Sequence, residues 1–210
     1  MRGIAAAFLP AAIAAAGLES RHAFDTSFSM SRRTARVLHS RIRTRSGFGT
    51  LYQVRGGPVV EHDFRSNGTL LGGYYVQPEK NGAGEWRNGQ RFFGGAALAA
   101  PLGEPSPESR TLSERFLRSE APDFNRYRRR LRGSGASEVR PWASAELPTD
   151  HRGFRSARLS AGVRRRLSKS ASLDTGYVYE SRVERVGAAC HAVVTSFHFR
   201  TPPKYAEPEM

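Results

Sequence analysis

Between Phe154 and Phe199 three successive segments place bulky apolar residues on alternate positions. In 154–167 the apolar set is Ala157, Leu159, Ala161, Val163 and Leu167, against Ser156, Arg158, Ser160, Arg164 and Arg166. In 172–180 Leu173, Thr175, Tyr177 and Tyr179 alternate with Asp174, Gly176, Val178 and Glu180. The run HAVVTSFHF, 191–199, sets Val193, Phe197 and Phe199 against Ala192, Ser196 and His198. A period of two belongs to strands with two unlike faces, and a one-residue slip would exchange those faces, so the segments constrain one another. Across the turn Ser168-Lys169-Ser170, matching apolar with apolar sets Leu167 opposite Leu173, Val163 opposite Tyr177 and Arg166 opposite Asp174. Past the 181–191 loop the same logic pairs Leu173 with Phe199, Thr175 with Phe197, Tyr179 with Val193 and Asp174 with His198.

The rest of the chain from Gly47 has similar texture. Short alternating runs at 47–54, 56–64, 69–77, 86–98, 111–119, 125–132 and 137–147 are separated by turn residues, among them Ser66-Asn67-Gly68. With the last three segments this predicts about ten strands (8–12), almost no helix and no internal repeat. Residues 24–46 are rich in Ser, Thr and Arg and read as a poorly defined N-terminal segment. The barrel domain is expected over 47–199, with a C-terminal tail at 200–210.

Two architectures alternate in this way, a soluble sandwich and a membrane barrel. No stretch approaches the 18 or so apolar residues of a membrane helix, which excludes helical membrane proteins but leaves barrels open. The N-terminus begins Met1-Arg2-Gly3 and continues IAAAFLPAAIAAAGL, 4–18, a charged start followed by an apolar run and small residues. This reads as a signal peptide over 1–23, with Ala14-Ala15-Ala16 or Arg21-His22-Ala23 as its end. Strands of 8–14 residues behind an export signal suit a barrel, whose crossings take roughly 9–11 residues. The expected fold is therefore an all-β, antiparallel up-and-down transmembrane barrel, exported to the outer membrane of a Gram-negative bacterium.

The formal net charge is +14, yet only three of the 33 basic residues are lysines, Lys80, Lys169 and Lys204. That skew fits a composition writing Arg wherever a cation is tolerated, or attraction to an anionic partner. The single cysteine, Cys190, makes no internal disulfide, and no metal-ligand spacing accompanies it. Neither metal nor cofactor is expected.

The segments quoted above, together with LYQVRGGPVVEHDF, the LLGGYY stretch and Glu85-Trp86-Arg87, resemble the bacterial domain-of-unknown-function-2490 family of small outer-membrane barrels. The likeness spans roughly residues 45 to 199. It implies a signal-bearing barrel and carries no catalytic residue, since the family has no established activity. Two features depart from such barrels: Arg129 shares its face with Tyr127 and Leu131, and eleven residues follow the closing strand.

On this reading a charge network lines the lumen, drawn from Glu114, Arg115, Glu146, Arg158, Arg166, Asp174, Glu180 and His198, because inward charges in a narrow tube must be paired. Tyr177, Tyr179, Phe197 and Phe199 are expected to face lipid or its interface. The expected role is non-enzymatic, either a narrow anion-leaning, porin-like pore or an envelope structural protein. Its partners would be outer-membrane lipid and lipopolysaccharide, and the barrel assembly machinery during biogenesis. The protein would be a monomer that binds no nucleic acid. One alternative is a barrel-borne lipid-active hydrolase using Ser196, His198 and Asp174. Another is a basic nucleic-acid-binding protein led by the arginines of 126–132 and 163–167.

Overall fold

The computed structural model describes residues 18–45, 49–100, 106–119, 121–135, 137–182 and 189–201. Its strands are β1 (Leu18–Ser29), β2 (Thr34–Arg45), β3 (Thr50–Arg65), β4 (Gly68–Val76), β5 (Glu79–Lys80), β6 (Trp86–Arg87) and β7 (Gly89–Ala99). There follow β8 (Ser106–Arg118), β9 (Phe124–Ser134), β10 (Val139–Asp150), β11 (Gly153–Phe154), β12 (Ser156–Arg166), β13 (Ala171–Arg182) and β14 (Ala189–Arg200). Eleven of them form a closed wall in the order β1, β2, β3, β4, β7, β8, β9, β10, β12, β13, β14 and back to β1. The short strands β5, β6 and β11 hang from β3 and β10.

Neighbours along the wall are antiparallel until the last joint. An odd number of alternating strands leaves the first and last pointing the same way, so β1 and β14 can close the cylinder only as a parallel pair, from Leu18–His191 to Ser27–Arg200. Phe24 and Phe197 meet in that register, rings stacked with centroids 5.2 Å apart, and clamp the outside of the seam.

The all-β barrel expected from the sequence is present, with two changes to its parts. The runs 47–54 and 56–64 are one strand, β3, which continues through Gly56-Gly57-Pro58. The segment 24–46, expected to be ill-defined, supplies most of β1 and β2, and β1 begins at Leu18, inside the stretch assigned to a leader. The merger removes one strand and the N-terminal segment adds two, so ten becomes eleven. The wall is thus up-and-down in its connections but not purely antiparallel. The start of the apolar run (4–17) and most of the tail (202–210) lie outside the described residues.

Register is corrected by an even number. Arg164, not Arg166, faces Asp174; Arg165 faces Leu173, and Val163 faces Thr175. In the next pair Leu173 faces Phe197, Asp174 faces Ser196, Thr175 faces Thr195 and Tyr179 faces His191. Hydrophobic matching fixes which face a residue occupies, but a slip of two leaves every face unchanged, so backbone pairing and turn geometry decide between such registers.

One row shows how the interior is filled. Trp142 on β10 is level with Gly162 on β12 and Gly176 on β13. A Cβ on either glycine would stand 2.8 Å from the indole Cζ2, so the two empty positions are the berth of the ring. The guanidinium of Arg132 stacks on Trp142 at 4.7 Å.

Candidate functional site

Inward positions follow from strand parity. On β12 they are Ser156, Arg158, Ser160, Gly162 and Arg164; on β9 they are Arg126, Arg128, Arg130 and Arg132. Outside, large apolar side chains stand exposed all round the wall, including Phe28, Leu38, Ile42, Leu70, Phe92, Leu131, Leu147 and Leu159. Inside, the buried set includes Glu19, Arg21, Arg55, Arg91, Glu114, Glu146, Asp174 and Glu180.

These charges form a belt round the waist of the lumen. Glu19 accepts hydrogen bonds from Arg43 Nη2 (2.8 Å), Arg21 Nη2 (3.2 Å) and the Tyr52 hydroxyl (2.9 Å). Tyr52 reaches inward because it is the extra residue of a bulge, where Arg43 pairs with Gln53 and Thr44 with Leu51. Arg21 also donates to Glu180 (3.1 Å) and to the sulfur of Cys190 (3.4 Å). Glu180 takes Arg158 Nη2 at 3.0 Å, and Arg158 Nη1 reaches Glu146 at 2.5 Å. Arg128 lies 3.3 Å from Glu146 and 2.9 Å from Glu114. Glu114, with its side chain wholly buried, also holds Arg126 (2.6 Å) and Arg91 (2.7 Å). Beyond Arg91 the belt continues without carboxylates: the guanidiniums of Arg91 and Arg55 both lie over the Tyr75 ring, at 5.1 and 4.8 Å, and Arg55 pairs across β2–β3 with Arg41. Arginine suits such a belt, since one planar fork serves two carboxylates or an acid and a ring.

The belt separates two cavities of about 1000 and 490 Å³. The residues lining both are Arg21, Arg41, Arg55, Arg91, Arg128 and Arg158, so the partition is built of guanidiniums. Four of them meet the carboxylates named above. Arg41 and Arg55 have no carboxylate within ion-pair distance among the described residues, and the buried Arg55 Nε has no hydrogen-bond partner among them.

A second cluster rises from the belt into the larger cavity. Asp174 accepts from Arg164 Nε (2.5 Å) and Arg132 Nη2 (3.2 Å) and lies 3.6 Å from His198 Nε2. His198 Nδ1 stands 3.2 Å from Asp25, whose other oxygen lies 2.5 Å from His39 Nδ1. His39 Nε2 is 2.9 Å from Arg55 Nη2, and an arginine can only donate, so this nitrogen accepts and Nδ1 carries the proton given to Asp25. The run Asp174–His198–Asp25–His39–Arg55 thus ties the outer cluster to the waist.

Of the residues proposed from sequence, Glu114, Glu146, Arg158 and Glu180 are in the belt, and Asp174 and His198 are in the second cluster. Arg166 lines the larger cavity near its mouth and donates to the Ser168 carbonyl instead of to Asp174. Arg115 follows the inward Glu114 on β8, so it faces outward, where it pairs with Asp123 at 3.2 Å. Tyr177, Tyr179, Phe197 and Phe199 all lie on the outer face; the Tyr177 hydroxyl hydrogen-bonds His191 Nδ1, and Tyr179 meets the same ring edge-on. The belt residues missed from sequence, Glu19, Arg21, Arg41, Arg43, Arg55 and Arg91, lie on β1, β2, β3 and β7. For Glu19 and Arg21 the signal is the alternation Glu19-x-Arg21-x-x-x-Asp25, hidden at the end of an apparent leader.

The hydrolase arrangement finds no support. Asp174 lies directly opposite Ser196, but His198 Nδ1 stands 3.2 Å from Asp25 and Nε2 3.6 Å from Asp174, and no hydrogen bond joins Ser196 to His198 among the described residues. Of the two arginine runs, Arg126, Arg128, Arg130, Arg132 and Arg164 are turned inward and each meets an acid, at 2.5–3.3 Å, while Arg129 and Arg165 stand exposed on the outer face.

The fold and site together define a class, a closed β-barrel with an apolar exterior and an ion-paired lumen. A family model described as "Protein of unknown function (DUF2490)" matches residues 22–187, and the chain belongs to that family. No curated protein matches the chain.

Proposed function

We propose that this protein is a non-enzymatic outer-membrane barrel whose lumen is closed at the waist by ion pairs and whose surplus of guanidiniums favours anions in the space that remains. The observation that carries this reading is the inversion of the usual arrangement. Large apolar residues such as Leu131, Leu159 and Leu70 are about half exposed, while Glu114 is 1 % exposed. Water would penalise such a surface, and an acyl-chain environment would favour it. Length agrees: an 11-residue strand such as β7, rising about 3.3 Å per residue and tilted by about 40°, crosses roughly 28 Å, near the apolar band of such barrels.

The connections suggest an orientation. Four of the five connections at the mouth of the larger cavity are short, at 30–33, 66–67, 135–138 and 167–170, whereas the longest connection, 77–88 with β5 and β6, lies at the other mouth. Short turns belong to the periplasmic side, so the larger cavity would open there. An export signal on this chain would end ahead of Leu18, because cleavage at Ala23 would remove Glu19 and Arg21 from the belt.

Detergent-solubilised protein run with and without boiling is the direct test. A folded membrane barrel is expected to migrate faster unboiled, and identical migration together with a soluble pool in fractionated cells would refute the reading. In planar bilayers the plugged waist predicts little or no conductance, with any residual current reversing toward the anion potential.

A further inference from the structure

We infer that the carboxylate-free arc of the waist is a binding site for a small organic anion, with its acidic head on Arg41 and Arg55 and an apolar body lying in the larger cavity. Arg41 and Arg55 are direct cross-strand partners, and like charges so placed repel unless something lies between them. On its β1 side Arg41 pairs with Ala23, which offers no countercharge. Arg55 is 9 % exposed, lines both cavities, and keeps a buried Nε with no hydrogen-bond partner among the described residues. Its Nη2 is fixed by His39, which is fixed in turn by Asp25, so the guanidinium is held in place without being neutralised. Every other arginine of the partition has an acid. This pair has an opening.

The surroundings narrow the ligand. Beyond Arg55 the wall turns apolar: the Tyr75 ring under the guanidinium is 4.8 Å from Phe93, and Phe93 lies over Gly73, level with Val59. Leu71 and Leu112 extend this surface along the larger cavity. A bare inorganic anion would use the arginines and leave the apolar wall wet, whereas a carboxylate or phosphate monoester with a ring or short chain uses both. A cavity of about 1000 Å³ has room for such a solute. The barrel wall separates the site from surrounding lipid, so the anion arrives as a soluble molecule and not as a headgroup.

This inference deepens the lumen reading above but does not need the barrel to conduct. The test is thermal unfolding of the full chain refolded in an uncharged detergent at constant ionic strength, with benzoate, inorganic phosphate or benzyl alcohol added. Benzoate is expected to raise the melting temperature at concentrations at least tenfold below those at which either control acts. The Arg41→Gln/Arg55→Gln double variant should lose that response, while Arg115→Gln keeps it. The variant relieves a like-charge pair but also removes the donor to His39 and the cation over Tyr75, so unboiled gel migration is used to verify that it is folded. Equal action of phosphate and benzoate, no action of benzoate on the wild type, or a benzoate response that survives the double variant would each overturn the proposal. Benzoate binding by a barrel found outside the outer membrane would leave this site standing and remove the membrane reading instead.

Discussion

The waist has two arcs, and they treat the same side chain in opposite ways. From β1 through β13, β12, β10, β9 and β8 to β7, each arginine meets at least one glutamate and each glutamate at least two arginines. Over β2, β3 and β4, Arg41 and Arg55 face each other beside an aromatic ring with no acid in contact. On the first arc electrostatics hold the wall together at the cost of desolvation. On the second the wall is held by the neighbouring strands, and the charges are there in spite of stability.

Substitutions can break or sharpen that contrast. The largest effect is expected for Glu114→Gln, which leaves Arg91, Arg126 and Arg128 without their shared acid; breaking such buried pairs costs about 3–5 kcal/mol. Urea unfolding of the refolded barrel measures it, and a loss below about 1 kcal/mol would mean the belt is ornamental. Gly162→Val comes next. Its Cβ would meet the Thr175 carbonyl oxygen at 2.1 Å and the Trp142 ring at 2.8 Å, an overpacking that costs about 1–3 kcal/mol and should shift indole fluorescence. Arg41→Gln should move the other way, gaining about 0.2–1 kcal/mol in anion-free buffer by removing a like-charge pair. A clear loss there would abolish the distinction between the arcs. Arg115→Gln, on an outward pair that is half exposed, should stay within about 0.5 kcal/mol of wild type and sets the floor of the series.

How far the sequence reveals this depends on where alternation is clean. From β10 to β14 it separates Leu159, Val163 and Tyr179 from Arg158, Glu180 and His198, and the faces come out right although the register slips by two. On β8 the rule inverts, because Leu112 and Phe116 are buried on the inner face with Glu114 while Thr111, Ser113 and Arg115 look outward. A narrow lumen needs apolar filling as well as charge, and one sequence does not announce which strand supplies it. Sequence alone therefore puts Arg115 inside, where the structure turns it outward. On β1 the outward set runs Ser20, His22, Phe24, Thr26 and Phe28, too polar to stand out behind an alanine-rich run. Four belt residues, Glu19, Arg21, Arg41 and Arg43, are therefore hidden in residues that read as leader and linker. The glycines of β3 mislead in a simpler way, since Gly56-Gly57-Pro58 is written like a turn and built as strand.

The odd strand count also gives the molecule a direction. Leu18 and Arg200 begin and finish on strands that run the same way, so they stand at opposite mouths of the cylinder. An even-stranded barrel brings the start of its first strand and the finish of its last to the same mouth; here the parallel seam holds Leu18 and Arg200 at opposite mouths. If the barrel spans a membrane as proposed, epitopes placed next to Leu18 and next to Arg200 would lie on opposite sides of it, and a protease added on one side would remove one and spare the other. On that reading the parallel seam makes each copy of the protein a gauge of which way it lies.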